Sequence, residues 1–265
     1  MAVEGYSQNC LAADVCGSGP PLLLLHGLFA SGGNLRALAK ALSQDFTVHS
    51  VDLPLHGQSK TVVADSIETM GDCLAHYVSV NQLRMPVIVG HSLGGKVAMS
   101  AVLSGLECQA LVVLDIAPVT YAPSHQAVFA AVEQVATGAL STRHGVRQTL
   151  NAELADATTI EFLLTQLRRD LDGVFHWKFD WQALKDIYPA ILAAPVAVEA
   201  SDCLALFVAG SCSNYINTEG KKRIKCVFPR SRVITLKGAG HWPHVEKFDE
   251  LISILRYFLN ALGEG

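Results

Sequence analysis

A glycine-flanked serine, placed between a strand-like run and a helix-like run, constrains the fold of this chain more than any other feature. The segment Gly90-His91-Ser92-Leu93-Gly94 directly follows the apolar run Pro86–Val89 and opens the helical pattern Leu93–Ser104. A strand that turns sharply into a helix needs small residues on both sides of the turn, because the two elements approach closely. The turn exposes the Ser92 hydroxyl beside the free N–H groups of the helix N-terminus. The pattern therefore predicts an α/β fold with a serine nucleophile.

Short apolar runs alternate with helical patterns along most of the chain. This alternation favours βαβ units and a mostly parallel sheet whose two faces are covered by helices. The predicted strands are Pro21–Leu25, Thr47–Val51, Pro86–Val89, Ala110–Leu114, Leu204–Val208 and Arg232–Leu236. A weaker strand pair is predicted around Asn9–Cys16, and apolar stripes at helical spacing begin at Leu35 and Phe248.

One segment interrupts the alternation. From Val119 to Leu192 the sequence predicts only helices, over Gln126–Val135, Arg143–Leu154 and Thr159–Leu171. Because this segment is rich in aromatic residues and lies between two predicted strands, we expect residues 119–192 to form a helical cap over a site. The core domain then comprises residues 1–118 and 193–265. The alternative is that the aromatic residues only attach the insertion to the core.

Composition excludes several classes of protein. Only 17% of the 265 residues are charged, and 20 Lys+Arg stand against 24 Asp+Glu. This balance predicts no nucleic-acid partner, and no apolar run is long enough to span a membrane. The N-terminus does not resemble a signal peptide, and the seven cysteines show no CxxC spacing. We therefore expect reduced thiols and a cytoplasmic location; the oligomeric state stays open.

A serine hydroxyl is a weak nucleophile without a base, so a histidine partner is required. His241 follows the last predicted strand in a glycine-containing loop, where catalytic groups of open α/β sheets lie. His26, His56 and His91 stand in tight turns, and we interpret them as loop anchors. His244 is interpreted as a rim residue.

The acid that orients this histidine is expected at the carboxyl end of a strand. Asp115 ends the strand Ala110–Leu114, whereas the loop after Leu204–Val208 contains no carboxylate. A carboxylate that closes an apolar strand is costly to bury without a partner, which favours Asp115. Asp180, late in the insertion, is the rival candidate, and Asp202 lies at the wrong end of its strand.

The tetrahedral intermediate of acyl transfer needs two N–H donors. The first is predicted to be Leu93, the residue after the nucleophile, and the second Leu28 in the loop after the first long strand, with Phe29 as the second choice. The predicted substrate pocket consists of aromatic side chains and one histidine: Phe29, His91, Phe129, Phe162, Trp177 and Trp242.

Four phrases together resemble the α/β-hydrolase superfamily, and in particular the bacterial YbfF-type carboxylesterases and their abhydrolase-domain relatives. They are His26-Gly27, Asp52-Leu53-Pro54-Leu55-His56-Gly57-Gln58-Ser59, Gly90-His91-Ser92-Leu93-Gly94 and Gly240-His241-Trp242. The resemblance covers nearly the whole chain. It implies a hydrolase of short- to medium-chain acyl esters, or of acyl thioesters, that uses no metal and no cofactor. The family's acid falls after the earlier strand, which matches Asp115.

Two other kinds of function are compatible with these motifs. A protein of this fold can bind ligands or act as a scaffold without catalysis, since folds do not determine function; the complete Ser, His and Asp set favours an enzyme. A C–C bond hydrolase or a perhydrolase uses the same three residue types, and the sequence does not separate these from an esterase.

Overall fold

The computed structural model describes residues 11–262, and within that range a seven-stranded sheet forms the centre of the molecule. The strands of the chain are β1 (Ala13–Cys16), β2 (Pro21–Leu25), β3 (Thr47–Val51), β4 (Val87–His91), β5 (Ala110–Leu114), β6 (Leu167–Arg169), β7 (Phe175–Trp177), β8 (Ala205–Gly210) and β9 (Ser231–Leu236). Their order in the large sheet is β1-β3-β2-β4-β5-β8-β9. β1 is antiparallel to β3, and the other pairs are parallel. The predicted α/β fold is therefore confirmed.

The six predicted strands are all present. Three of them coincide with β2, β3 and β5, and the bounds of β4, β8 and β9 differ from the prediction by one or two residues. The weaker prediction around Asn9–Cys16 corresponds in part to β1, whose partner in the sheet is β3. Asn9 and Cys10 lie outside the described residues.

Helices cover both faces of the sheet because the strands are apolar on both sides. They are α1 (Arg36–Leu42), α2 (Ile67–Val80), α3 (Leu93–Leu103), α4 (Gln126–Thr137), α5 (Arg143–Glu153), α6 (Ala157–Thr165), α7 (Trp181–Asp186), α8 (Tyr188–Leu192), α9 (Thr218–Val227), α10 (Pro243–Glu246) and α11 (Phe248–Asn260). In the part of the chain that the structure describes, no helix is both long enough and apolar enough to cross a membrane.

Successive residues of one strand belong to two separate hydrophobic clusters. Leu23 and Leu25 of β2 pack in the cluster that includes α2, α3 and α9, whereas Leu22 and Leu24 pack in the cluster formed with α1 and α11. This separation follows from the two-residue period of a strand. The sheet is thus held between two apolar layers, and the ends of its strands stay available for loops that carry polar groups.

The segment between β5 and β8 contains α4–α8 and also a small antiparallel sheet of β6 and β7. The expectation of helices alone was wrong here: the helix predicted to reach Leu171 ends at Thr165. The reason is a tight turn that connects β6 to β7. Asp170 accepts a hydrogen bond from the N–H of Val174 through its side chain, and Gly173 adopts a φ of +85°. A last loop residue with positive φ, here a glycine, is typical of three-residue hairpin loops.

Candidate active site

Ser92 occupies the turn between β4 and α3 in a backbone conformation that is rare for a residue with a side chain. Its φ is +51° and its ψ is −116°. The backbone N–H of Ser92 donates to the carbonyl of Leu114 at 3.0 Å, which fixes the turn to β5. A Cβ atom on Gly94 would lie 2.4 Å from the carbonyl oxygen of Leu25, so that only glycine fits there. The strained turn is therefore determined by its surroundings, and strain of this kind is concentrated at functional sites.

Three polar side chains form a continuous hydrogen-bond chain at the carboxyl edge of the sheet. Nε2 of His241 lies 3.0 Å from Oγ of Ser92, and Nδ1 of His241 lies 2.8 Å from Oδ2 of Asp115. With Nδ1 donating its proton to the carboxylate, Nε2 is free to accept the hydrogen of the serine hydroxyl. The arrangement can thus withdraw a proton from Ser92 and hold the resulting imidazolium beside a negative charge.

The carboxylate of Asp115 is fully buried and surrounded by donors. Its Oδ1 accepts from the backbone N–H of Gly210 at 2.9 Å, and its Oδ2 accepts from the hydroxyl of Ser213 at 2.5 Å as well as from His241. Hydrogen bonds to a carboxylate stabilise the charged form and offset the cost of burial. No motif identifies Ser213 from sequence; its role follows from its contact with Asp115.

The two other candidate acids lie elsewhere. Asp180 caps the N-terminus of α7, where its Oδ1 accepts from the N–H of Ala183 at 3.1 Å. Asp202 precedes β8 at the opposite end of the sheet, and its carbonyl accepts from Arg230. The structure brings Asp115, and neither of these residues, to His241.

Two further residues hold His241 in place. The ring of Tyr215 stacks on the imidazole, with centroids 4.0 Å apart and planes inclined by 22°. The Glu246 carboxylate accepts from the N–H groups on both sides of the histidine, Gly240 at 2.5 Å and Trp242 at 3.0 Å. Neither contact was predicted: the Tyr215 stack depends on how the segments after β8 and β9 meet, and the Glu246 contacts form within the segment after β9 without a sequence motif.

Two backbone N–H groups near Ser92 remain available for a developing oxyanion. Within residues 11–262, no acceptor pairs with the N–H of Leu28 or of Leu93. The N–H of Phe29, the second choice, donates instead to Nε2 of His56 at 3.1 Å. The backbone of the Leu28 loop lies against Ser92, since a Cβ on Gly27 would be 3.4 Å from Cβ of Ser92.

The buried histidines around Ser92 serve as hydrogen-bonding anchors. His26 donates to the carbonyl of Gly27 at 2.8 Å and accepts from the N–H of Leu53 at 3.0 Å. His91 donates from Nε2 to the carbonyl of His241 at 2.7 Å. Burial lowers the pKa of His26 to about 4 and that of His91 well below its usual range. Both rings are therefore neutral near pH 7.

A cavity of about 920 Å³ lies over Ser92 and is lined by residues of the 119–192 segment and by residues from the rest of the chain. Of the residues predicted to form the pocket, Phe29, His91, Phe162 and Trp242 line it. Within the described chain no group of three or more His, Cys, Asp or Glu side chains is placed to hold a metal ion.

Phe129 and Trp177 do not line the cavity, and this part of the pocket prediction was wrong. Phe129 packs behind the wall, against the rings of Phe29 and Tyr188 at centroid distances of 5.0 and 5.1 Å. Trp177 is 2% exposed, and its Nε1 donates to the carbonyl of Val132. These two aromatic residues attach the inserted segment to itself and to the core, as the alternative interpretation held.

Lys96 is a cavity residue that the sequence did not single out. It lies one turn after Ser92 on α3, is 2% exposed, and donates from Nζ to the carbonyls of Ile191 at 2.9 Å and Leu192 at 2.8 Å. Burial lowers its pKa to about 7. Lys96 therefore joins the helix that follows Ser92 to the last turn of α8.

Tyr188 and His125 form a second polar pair in the cavity wall. The Tyr188 hydroxyl accepts from the N–H of Ser124 and lies 2.6 Å from Nδ1 of His125. Burial lowers the pKa of His125 to about 4, and it does the same for His244. His244 packs on His91, with ring centroids 4.5 Å apart.

Residues 22–254 match the sequence model of the alpha/beta hydrolase family. The chain belongs to this family. It is 34% identical over 242 residues to Esterase YbfF of Escherichia coli K12, a match that covers 91% of this chain and 93% of that protein. It is also 32% identical over 262 residues to the mouse sn-1-specific diacylglycerol lipase ABHD11, covering 96% of this chain and 84% of that protein.

A solved structure of a marine microorganism esterase is similar in both fold and sequence. It superposes with a TM-score of 0.89 at 31% identity, covering 94% of this chain and 99% of the other. Together, these relatives identify the chain as an alpha/beta hydrolase of the esterase and lipase type.

Proposed function

We propose that the chain is a serine carboxylesterase that hydrolyses short- to medium-chain acyl esters through Ser92, His241 and Asp115. The observation that carries this proposal is the unbroken hydrogen-bond chain from the Ser92 hydroxyl through His241 to the buried Asp115 carboxylate. The relatives named esterases and lipases support the same reaction class. Acyl thioesters are a second candidate class of substrate, because their carbonyl carbon is also electrophilic.

In the proposed reaction, Oγ of Ser92 attacks the acyl carbonyl carbon while Nε2 of His241 takes its proton. The carbonyl oxygen becomes negatively charged and is bound by the N–H groups of Leu28 and Leu93. The alcohol then leaves with the proton from Nε2, and an acyl group remains on Ser92. A water molecule, deprotonated by His241, attacks this acyl-enzyme and restores the serine. The Asp115 carboxylate orients the imidazole and stabilises the imidazolium that forms during the attack.

We further propose that residues 119–192 act as a cap on a core formed by the rest of the chain. Two observations support this division. Phe162 of α6 and Trp242 of the core both line the cavity, and their ring centroids are 6.0 Å apart. Closure of such a site excludes water from the reacting atoms and strengthens the interactions with the oxyanion.

The reaction class is tested with matched pairs of substrates that share one acyl group. Butanoyl and hexanoyl groups are presented as nitrophenyl esters, glycerol esters and coenzyme A thioesters, and kcat/KM is measured for each. We expect turnover of esters in all cases where the alcohol fits the cavity. Absence of ester turnover by a folded protein, together with cleavage of a carbon–carbon bond in a β-diketone, would instead assign a C–C bond hydrolase.

The proposed base predicts how activity depends on pH. We expect kcat/KM to be higher at neutral than at acidic pH, because only a neutral imidazole accepts the serine hydrogen. His125 and His244 do not contribute between pH 5 and 8, since burial lowers their pKa values to about 4 and they are already neutral. A pH–rate profile with a nitrophenyl ester measures this rise.

Lys96 is the control for this measurement, because burial lowers its pKa to about 7 and its own titration would fall between pH 5 and 8. Lys96→Gln keeps an N–H donor for the carbonyls of Ile191 and Leu192 and does not titrate. We expect the rise with pH to persist in this variant. A flat profile in the wild type would contradict a histidine base, and a rise that disappears in Lys96→Gln would assign the pH dependence to Lys96 instead.

The aromatic lining of the cavity predicts a preference for acyl length. We expect kcat/KM to be highest for butanoyl to octanoyl esters and to fall for longer chains, because Phe29 and Phe162 limit the apolar space. Phe162→Ala should shift the preference to longer chains, whereas Phe175→Ala, outside the cavity, should not. A continuous increase up to monomeric palmitoyl esters in the wild type contradicts this prediction.

A further inference from the structure

Two cysteines contact each other at the edge of the sheet opposite the serine. Cys108 stands shortly before β5 and Cys203 shortly before β8, and their sulfur atoms are 3.3 Å apart although 95 residues separate them in sequence. Both side chains are half-buried. Sequence reasoning treated every cysteine as an unpaired apolar residue, because the spacing of the two carries no motif.

We propose that Cys108 and Cys203 form a reversible disulfide by exchange with a small-molecule disulfide such as oxidised glutathione. The inference is independent of the reaction proposed for Ser92. It assigns a covalent modification site to the amino-terminal edge of the sheet, where β5 and β8 run side by side.

Two neighbouring strands bring the cysteines together at this edge. β5 and β8 are hydrogen-bonded neighbours, and the N–H of Leu111 donates to the carbonyl of Leu204 at 3.0 Å just beyond the two cysteines. Because Leu111 pairs with Ala205, Cys108 and Cys203 precede their strands one residue out of direct alignment, and their sulfur atoms are already in contact. The sulfur atoms need to approach by only about 1.3 Å from their present 3.3 Å.

The other cysteines within residues 11–262 lack this arrangement. Cys16, Cys212 and Cys226 are exposed, Cys73 is half-buried, and none of them has another cysteine sulfur within bonding reach in the described chain. Among these six thiols, Cys108 and Cys203 are therefore the two that lie side by side. A mixed disulfide between glutathione and either of them has a second protein thiol beside it.

Cys203 is the thiol suited to begin the exchange. Its sulfur lies within hydrogen-bond distance of the Cys108 sulfur and 3.5 Å from the carbonyl oxygen of Leu204, and the guanidinium of Arg230 is held nearby by its bond to the carbonyl of Asp202. The hydrogen bond and the positive charge lower the pKa of the Cys203 thiol. A larger thiolate fraction increases the rate of attack on a disulfide.

The exchange is balanced in atoms and electrons. The Cys203 thiolate attacks one sulfur of oxidised glutathione, which breaks that S–S bond and releases one glutathione thiolate. Cys108 then loses its proton to solvent and attacks the Cys203 sulfur, which releases the second glutathione thiolate. One protein disulfide and two reduced glutathione molecules result, so the two electrons lost by the cysteines are gained by glutathione.

The disulfide would close a loop that contains the entire 119–192 segment. Closing so long a loop restricts the unfolded chain strongly. We therefore expect the melting temperature to rise by roughly 5–10 °C on oxidation. Asp115 lies at the other end of β5, so the crosslink forms away from the hydrogen-bond chain of Ser92.

The test equilibrates the reduced full-length protein in glutathione buffers of increasing oxidised fraction, followed by trapping of free thiols with N-ethylmaleimide. Cys203 and Cys212 share a tryptic fragment because no Lys or Arg lies between them. Chymotryptic cleavage after Phe207 separates the two before mass spectrometry. We expect a Cys108–Cys203 crosslink within one chain, loss of two trapped thiols, and recovery of both thiols on addition of dithiothreitol.

The melting temperature is followed in parallel for the wild type, Cys108→Ser, Cys203→Ser and the half-buried control Cys73→Ser. Wild type and Cys73→Ser should become more stable on oxidation, and the other two should not. Cys108→Ala replaces Cys108→Ser if the latter is unfolded before oxidation.

The proposal is overturned if both thiols stay free or glutathionylated in the most oxidising buffer. It is equally overturned if the crosslink joins other cysteines, or if the crosslinked wild type melts no higher than the reduced protein.

Discussion

Ser92→Ala is expected to lower kcat for ester hydrolysis by roughly 10⁴–10⁶ while the protein stays folded. The hydroxyl is the group that bonds to the substrate, and alanine leaves Nε2 of His241 with nothing to deprotonate. The hydroxyl is uncharged, and its removal neither adds nor removes a buried charge. The melting temperature should therefore change little. Steady-state kinetics with a butanoyl nitrophenyl ester and thermal unfolding measure the two quantities.

Ser104→Ala is the matched control, because Ser104 is exposed at the other end of the same helix. Its turnover should stay within about a factor of two of the wild type, as for most exposed substitutions. If Ser92→Ala kept more than a tenth of the wild-type kcat, another nucleophile would have to perform the reaction.

Asp115→Asn is expected to lower kcat by roughly 10⁴, with a much smaller effect on KM. An asparagine amide can turn its N–H₂ toward Nδ1 of His241, which favours the tautomer whose Nε2 carries hydrogen and cannot accept from Ser92. The charge that stabilises the imidazolium is lost at the same time. Measuring kcat, KM and the melting temperature separates this effect from unfolding.

Asp180→Asn and Asp202→Asn test the choice of acid. Asparagine caps a helix as well as aspartate does, so Asp180→Asn should preserve α7. Both variants should keep activity within about an order of magnitude of the wild type, because neither carboxylate contacts His241. An inactive Asp180→Asn beside an active Asp115→Asn would move the acid to the inserted segment.

The strands and the three residues of the hydrogen-bond chain were accessible from sequence for one physical reason. Each of the three stands directly at the carboxyl end of a strand or in the loop that follows it, and parallel strands bring these ends together at one edge. The apolar runs that define β2 and β5 are continuous, because helices cover both faces. Local sequence patterns are therefore sufficient to place Ser92, His241 and Asp115 at the carboxyl ends of their strands.

Two of the residues that the sequence does not identify act through contacts between distant segments. Ser213 and Tyr215 gain their roles only when the loop after β8 meets Asp115 after β5 and His241 after β9. Glu246 acts within its own segment, on Gly240 and Trp242, and belongs to no motif. Whether an aromatic residue faces the cavity or the layer behind it also depends on that packing. Phe162 and Phe129 both belong to helical patterns, yet only the first lines the cavity.

The most direct test of the central claim is covalent trapping of the nucleophile with a fluorophosphonate. Trypsin cleaves after Arg84 and Lys96, and the fragment 85–96 contains Ser92 as its single hydroxyl-bearing residue. We expect the phosphonyl group on this fragment in proportion to the activity lost, and no labelling of Ser92→Ala. Complete inactivation with fragment 85–96 unmodified, or equal labelling of the Ser92→Ala variant, would contradict the account.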